Sequence, residues 1–242
     1  MSGHSKWKNI MHKKEKTDAQ RASVFTKIGK EISVAVKEGG PDPVSNSKLA
    51  ALIAKAKSNN IPNDNIDRAI KKASSSDAAQ LSVMRYEGYG PSGVAVIVEA
   101  ATDNPNRTTP EVRSYFSKYK GNLGTTGCVG YLFEDKGVIL VSAEDVDEDK
   151  LMEDALEAGA SDFVAEDGIF EIYTEVDDLE AVRSDLDRKG YPIESAELDK
   201  IPSTYVTLTD ADDIKYMNLL IEHLEDNDDV TGVFHNWENC DD

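Results

Sequence analysis

Apolar side chains along the N-terminal third recur at the helical period. Phe25, Ile28, Ile32 and Ala35 fall at i, i+3, i+7 and i+10, the spacing of one helix face. Thr17 or Asp18 can cap that helix, and Gly39-Gly40-Pro41 stops it. Leu49, Leu52, Ile53 and Ala56 mark a second helix ending near Asn59-Asn60. Ile66, Ala69, Ile70 and Ala73 mark a third, with Pro62-Asn63-Asp64 at its start. Each helix offers one apolar stripe, so the three must pack on one another or on the rest of the chain.

After Ser74-Ser75-Ser76-Asp77, a linker by composition, the period changes. Val83 to Glu87 and Val94 to Glu99 read as strands. A helix is expected from about Pro110 to Lys120, capped by Thr108 or Thr109, with Val112, Tyr115, Phe116 and Tyr119 inward. Cys128 to Phe133 is expected as a strand. From 137 to 199 the order is strand (Val138–Val141), helix (Asp147–Ala158), hairpin (Phe163–Glu166 and Ile169–Tyr173), helix (Asp177–Lys189) and strand (Ile193–Leu198). That is the β-α-β-β-α-β pattern of a ferredoxin-like unit. Tyr205–Leu208, Ala211–Glu225 and Val230–Trp237 then read as strand, helix and strand. The expected fold is α+β with three domains. Residues 1–76 form a basic arm and helical domain. Residues 77–135 with 201–242 form a discontinuous α+β middle domain, and residues 136–200 a ferredoxin-like domain inserted in it.

Charge sharpens this division. The 242 residues carry 27 Lys and Arg against 46 Asp and Glu, a net charge of −19. Residues 1–72 hold 15 basic and 7 acidic side chains, a net of +8, and the remaining 12 basic and 39 acidic give −27. A basic head on an acidic body points to a polyanion held by one end. The alternative is an electrostatic clasp, the head folding back on its own body. The candidate contacts of the head are Lys6, Trp7, Lys8, Lys13, Lys14, Lys16, Arg21 and Lys27. Trp7, between two lysines, can stack on an unpaired base or anchor the arm. In the body, Arg107, Arg113, Lys118 and Lys120 stand against only Glu111 nearby, with Arg113 and Lys120 seven apart. Beside them, Gly121-Asn122-Leu123-Gly124-Thr125-Thr126-Gly127 could bring backbone N–H groups close to phosphate.

Other chemistry is excluded on spacing. Gly88-Tyr89-Gly90-Pro91-Ser92-Gly93 matches G-x-G-x-x-G, but strand-forming Val94 to Val98 follows where a dinucleotide site needs a helix. The motif therefore reads as a hairpin turn, and no cofactor is expected. The four histidines and two cysteines lack zinc spacing, and no metal or catalytic residue is assigned. Asp226, Asp228 and Asp229 read as a solvated turn. A helix-turn-helix within 48–72 stays open, although the loop Asn59 to Asn65 contains Pro62 and is longer than the usual turn. No apolar run is long enough to cross a membrane, no secretory leader opens the chain, and two cysteines fit a reducing cytoplasm.

Several blocks resemble the YebC/PmpR family, which includes the mitochondrial translational activator of cytochrome oxidase. They are Gly3-His4-Ser5-Lys6-Trp7-Lys8-Asn9-Ile10, Phe25-Thr26-Lys27, Gly39-Gly40-Pro41-Asp42-Pro43, Ala56-Lys57, Asn65 to Lys72, Glu87 to Pro91, Thr102-Asp103-Asn104, Asn106-Arg107-Thr108, Gly121-Asn122-Leu123-Gly124 and Val233-Phe234-His235-Asn236. The sequence departs from the family at Ala73-Ser74-Ser75, where glycine is usual. The resemblance implies three domains, the third inserted in the second, and no catalytic residue. It implies a probable transcriptional regulatory protein that binds DNA, or a ribosome-associated factor that binds ribosomal RNA and relieves stalling at proline-rich stretches. The expected partner is thus nucleic acid, DNA or ribosomal RNA, with the ribosome or a protein on the acidic body as further candidates and no membrane. Removing residues 1–20 deletes Lys6, Lys8, Lys13, Lys14 and Lys16. The truncated chain should stay folded yet bind nucleic acid orders of magnitude more weakly. Its log K should fall less steeply with log salt, by roughly 0.7–0.9 for each phosphate no longer neutralised. Unchanged affinity in a filter-binding titration would refute the arm as a contact.

Overall fold

The computed structural model describes residues 18–75, 80–166 and 168–239, the side chains of 18–22 and 166 excepted. It is mixed helix and sheet, an α+β fold with a helical N-terminal region and two antiparallel sheets. Helix α1 (Asp18–Gly39) buries Ile28, Ile32, Ala35 and Val36, whereas Phe25 at its outer end is 38% exposed. Gly40, at φ +85°, ends the helix in the left-handed region that favours glycine. Helix α2 (Ser47–Ser58) is capped by Asn46, whose Oδ1 accepts from the Leu49 N–H at 3.0 Å. The same buried side chain donates through Nδ2 to the carbonyls of Ala35 and Gly40, so one amide joins the end of α1 to the start of α2. Helix α3 (Asn63–Ala73) begins after Pro62. The α2–α3 connection is therefore only residues 59–62, shorter than Asn59 to Asn65, because Pro62 flanks the helix instead of interrupting the loop. Ile28, Ile32, Leu49, Leu52, Ala56 and Ile66 form the core of this unit.

The first sheet has the order β3 (Asn122–Leu123), β1 (Ser82–Tyr89), β2 (Ala95–Thr102), β8 (Val230–His235). The G-x-G-x-x-G segment is a short 3₁₀ turn between antiparallel β1 and β2, with no helix at its end. Helices α4 (Pro105–Lys118) and α7 (Ala211–Asp226) cover one face. There Val94, Val96 and Val98 pack against Val112, Phe116, Met217 and Leu220. On the other face, Ala95 and Ile97 meet Val129, Leu132 and Phe133. Burial on both sides explains why the 94–98 run is continuously apolar.

The second sheet has the order β5 (Asp162–Glu166), β6 (Ile169–Thr174), β4 (Phe133–Ser142), β7 (Ile193–Pro202). With α5 (Glu148–Ala158) and α6 (Leu179–Lys189) it is the expected β-α-β-β-α-β unit. Ile139, Val141 and Ile172 pack under Leu151, Val182 and Leu186. The helical unit touches both sheets: α1 lies on the β8 end of the first, and α2 on β7 of the second. At the second contact Lys55 pairs with Glu31 at 3.1 Å. Burial opposes the Lys55 charge, but Glu31, Glu197 and Asp199 outweigh it and hold its pKa above the ordinary lysine value.

Three local expectations are corrected. The helix expected at Pro110 to Lys120 runs from Pro105 to Lys118, because the Asn104 side chain caps it through the Arg107 N–H and Pro105 fills its first turn. The strand expected at Cys128 to Phe133 starts only at Phe133, because the amides of Val129 and Gly130 bind the Glu87 carboxylate instead of a neighbouring strand. Tyr205 to Leu208 contributes a single parallel bridge, Val206 to Trp237, and no strand. Asn46→Ala removes a cap and takes a donor from the buried Ala35 carbonyl and the part-buried Gly40 carbonyl. It should cost about 2–3 kcal/mol, read as a lower urea midpoint at unchanged slope.

Candidate nucleic-acid interface

Lys6, Trp7, Lys8, Lys13, Lys14 and Lys16 lie outside the described residues, as does the side chain of Arg21. Lys27 lies on α1, and its ammonium donates to the Glu225 carbonyl. Beside it, Lys30 Nζ donates to the Asp228 carbonyl at 2.9 Å and reaches Asp229 Oδ1 at 2.7 Å. Ser23 Oγ approaches Asp228 Oδ1 at 3.4 Å. This face of α1 is held by the α7–β8 turn, so the clasp between head and body is formed here.

Asp229 is the centre of that clasp. It is buried, not solvated as expected of an acidic turn. Its Oδ2 accepts from Arg107 Nη2 at 2.6 Å and has the hydroxyls of Thr108 and Thr102 at 2.7 and 3.1 Å. Burial would raise its pKa, but the bonds from Lys30, Arg107 and Thr108 hold it well below the usual carboxylate range. Arg107 also reaches Asp103 at 3.1 Å. Its charge is met by Asp103, four residues before it, and by Asp229, far along the sequence.

The glycine-rich loop is also satisfied from within. Glu87, on β1, is buried and accepts from the N–H groups of Val129 and Gly130 at 3.0 and 2.7 Å. Burial would raise its pKa, yet these amides, that of Gly127 and the Arg85 charge lower it. The Gly124 N–H donates to the Glu87 carbonyl and the Gly121 N–H to the Phe116 carbonyl, so the amides of Gly121, Gly124 and Gly127 all serve the fold. A carboxylate of the chain thus takes the amides that follow the loop, and the glycine amides anticipated for phosphate are engaged internally.

Lys120 follows the end of α4 at φ +58°, so it does not share a helix face with Arg113. It pairs with Asp213 at 3.5 Å and lies 4.5 Å over the Tyr216 ring. Lys118 lies 5.1 Å over the Tyr119 ring. Arg113 is exposed and makes no ion pair among the described residues. His235 is half-buried beside Trp237, and burial lowers its pKa to about 4, so it adds no cation at neutral pH.

A further cluster was not among the residues expected from sequence. Arg68, Lys71 and Lys72 occupy the last turns of α3, all exposed and without an ion pair among the described residues. Their signal is present as Arg68-Ala69-Ile70-Lys71-Lys72, where two apolar residues face inward between three cations.

Family models match the chain in two stretches. Residues 5–76 match the N-terminal domain of the TACO1/YebC protein, and residues 81–237 match the TACO1/YebC second and third domain. The chain belongs to the TACO1/YebC family. It is 57% identical over 239 residues to a probable transcriptional regulatory protein of Acetivibrio thermocellus, covering 98% of this chain and 99% of that one. It is 54% identical over 241 residues to one of Lachnoclostridium phytofermentans, covering 98% of this chain and 100% of that one. Among solved structures, a conserved hypothetical protein, Aq1575, from Aquifex aeolicus superposes with a TM-score of 0.81 at 45% identity, covering 92% of both chains. No helix among the described residues of this TACO1/YebC member is long and apolar enough to cross a membrane.

Asp229→Ala strands the charges of Lys30 and Arg107 and should cost about 3 kcal/mol in urea unfolding. Because the Asp229 pKa is lowered in the fold, its contribution is complete above about pH 4 and disappears as pH falls through the lowered value. The variant should therefore show a shallower loss of stability on acidification. An unchanged urea midpoint would contradict this role for the clasp.

Proposed function

We propose that the chain is a non-enzymatic cytoplasmic regulator of gene expression that binds nucleic acid through its basic N-terminal region. The observation that carries this reading is the exposed Arg68, Lys71 and Lys72 cluster on α3, unpaired within the described residues of a protein with net charge −19. In such an acidic chain, three clustered cations that make no ion pair among the described residues offer a site for an external polyanion. Lys27, Lys30, Arg107 and Lys120, by contrast, are engaged by the body. The residue 1–20 lysines add to the same end of the sequence. The names of the relatives favour DNA as the target. A helix, a four-residue connection and a second helix over 47–73 also match the lengths of a helix-turn-helix.

A second reading is a factor docked on ribosomal RNA. It is favoured by the exposed tyrosines of the first sheet unit, Tyr89 and Tyr131, which base-paired duplex cannot stack upon.

Reversing Arg68, Lys71 and Lys72 to glutamate should leave folding nearly unchanged, since exposed substitutions usually cost within about 0.5 kcal/mol each. Binding should weaken, and the salt slope should fall by roughly 0.7–0.9 for each phosphate these side chains neutralise. Unaltered binding would overturn the assignment. A competition then separates the readings. Retention of a promoter fragment against random duplex, by roughly 10³-fold, supports DNA readout. Loss to random duplex with co-sedimentation on ribosomes supports the second reading.

A further inference from the structure

Tyr131 is 75% exposed, the most exposed aromatic side chain among the described residues. It is nevertheless held in place. It lies in the 3₁₀ turn Gly130–Leu132, next to buried Val129. The Val129 and Gly130 amides are bound by Glu87, and the Leu132 carbonyl accepts the Ser203 N–H at 2.8 Å. Tyr89 lies beside Tyr131, and the Tyr89 hydroxyl donates to the Cys128 carbonyl at 3.2 Å. Tyr89 is itself 36% exposed. An aromatic ring that is open to solvent on an anchored backbone turn loses little freedom on binding a planar partner.

A cation lies beside the turn that carries the ring. Arg85 Nη2 comes so close to Gly130 that a Cβ there would sit 2.6 Å from it, so glycine leaves the guanidinium room over the turn. Arg85 pairs with Glu87 Oε1 at 3.1 Å and keeps 38% of its side chain exposed. The amides bond Glu87 Oε2 and Arg85 Nε meets Oε1, so the other N–H donors of the part-exposed guanidinium are left for a second anion.

We propose that Tyr131, supported by Tyr89, is a stacking site for an unpaired nucleobase of a single-stranded nucleic acid, with Arg85 receiving the adjoining phosphate. This deepens the nucleic-acid reading above and rests on it. An aromatic face with a neighbouring cation fits a base joined to phosphate, and stacking tolerates any base because each has a π-face. Bases inside a duplex are already stacked and offer no such face. A proline-rich peptide could use the ring but has no use for the arginine.

The test titrates the full chain with a labelled oligouridylate of about twelve nucleotides and with an RNA duplex of equal length. Tyr131→Ala should weaken single-strand binding about tenfold and leave duplex binding within about twofold. Tyr131→Phe should retain most of the affinity. The Tyr131→Trp variant should lose emission on adding the single strand and not on adding the duplex, relative to the parent chain. Equal single-strand affinity in Tyr131→Ala, or an equal loss on both probes, would overturn the stacking site while leaving the nucleic-acid reading in place. Failure of the parent chain to bind either probe would overturn both. Quenching of Tyr131→Trp by an oligoproline peptide but not by oligouridylate would overturn the proposal in favour of a peptide site.

Discussion

One buried carboxylate, Asp229, ties the helical head to the first sheet. A side chain this buried is tolerated only if its charge is compensated. Here Lys30 comes from α1, Arg107 and Thr108 from α4 and Thr102 from the end of β2, each within 3.1 Å. Its backbone carbonyl also accepts from the Ala101 N–H at 2.8 Å. The position of α1 on the body, the start of α4 and the β2–β8 edge therefore share one point. At the second contact, Lys55 of α2 pairs with Glu31 of α1, and the charges of Glu197 and Asp199 on β7 favour the lysine there.

This arrangement recasts what the surplus of acid does. The acidic body is not only a repulsive surface that orients a polyanion. It supplies internal anions to groups that would otherwise attract one from outside: Asp229 to Lys30 and Arg107, Glu87 to the glycine-rich loop, Asp213 to Lys120. The exposed cations that no carboxylate among the described residues pairs with include Arg68, Lys71 and Lys72, grouped on α3, and Arg113 on α4. The clasp and the external contact are compatible because they use different residues of the same basic region.

Much of the fold was legible because periodicity reports burial. The stripes of α2 and α3, the two-sided apolar run of β2 and the β-α-β-β-α-β order all appear as expected. Errors arose where a polar side chain far away in sequence decided the local structure. Asn104, not a threonine, caps α4, and Thr102 and Thr108 are drawn inward by Asp229. Glu87 takes the amides that would have extended a strand through Val129 and Gly130. The candidate interface was less legible for the same reason. Arg107 and Lys120 looked unopposed because Asp229 and Asp213 lie about a hundred residues further along. Tyr131 carried no signal, since one tyrosine in an apolar stretch reads as core.

The central claim is that Asp229 couples α1 to the body through Lys30. The direct measurement is a double-mutant cycle with Lys30→Met, Asp229→Asn and the pair, each followed by urea unfolding. A coupling of about 1–3 kcal/mol between the two sites is predicted. Additive effects, within about 0.3 kcal/mol, would contradict the account.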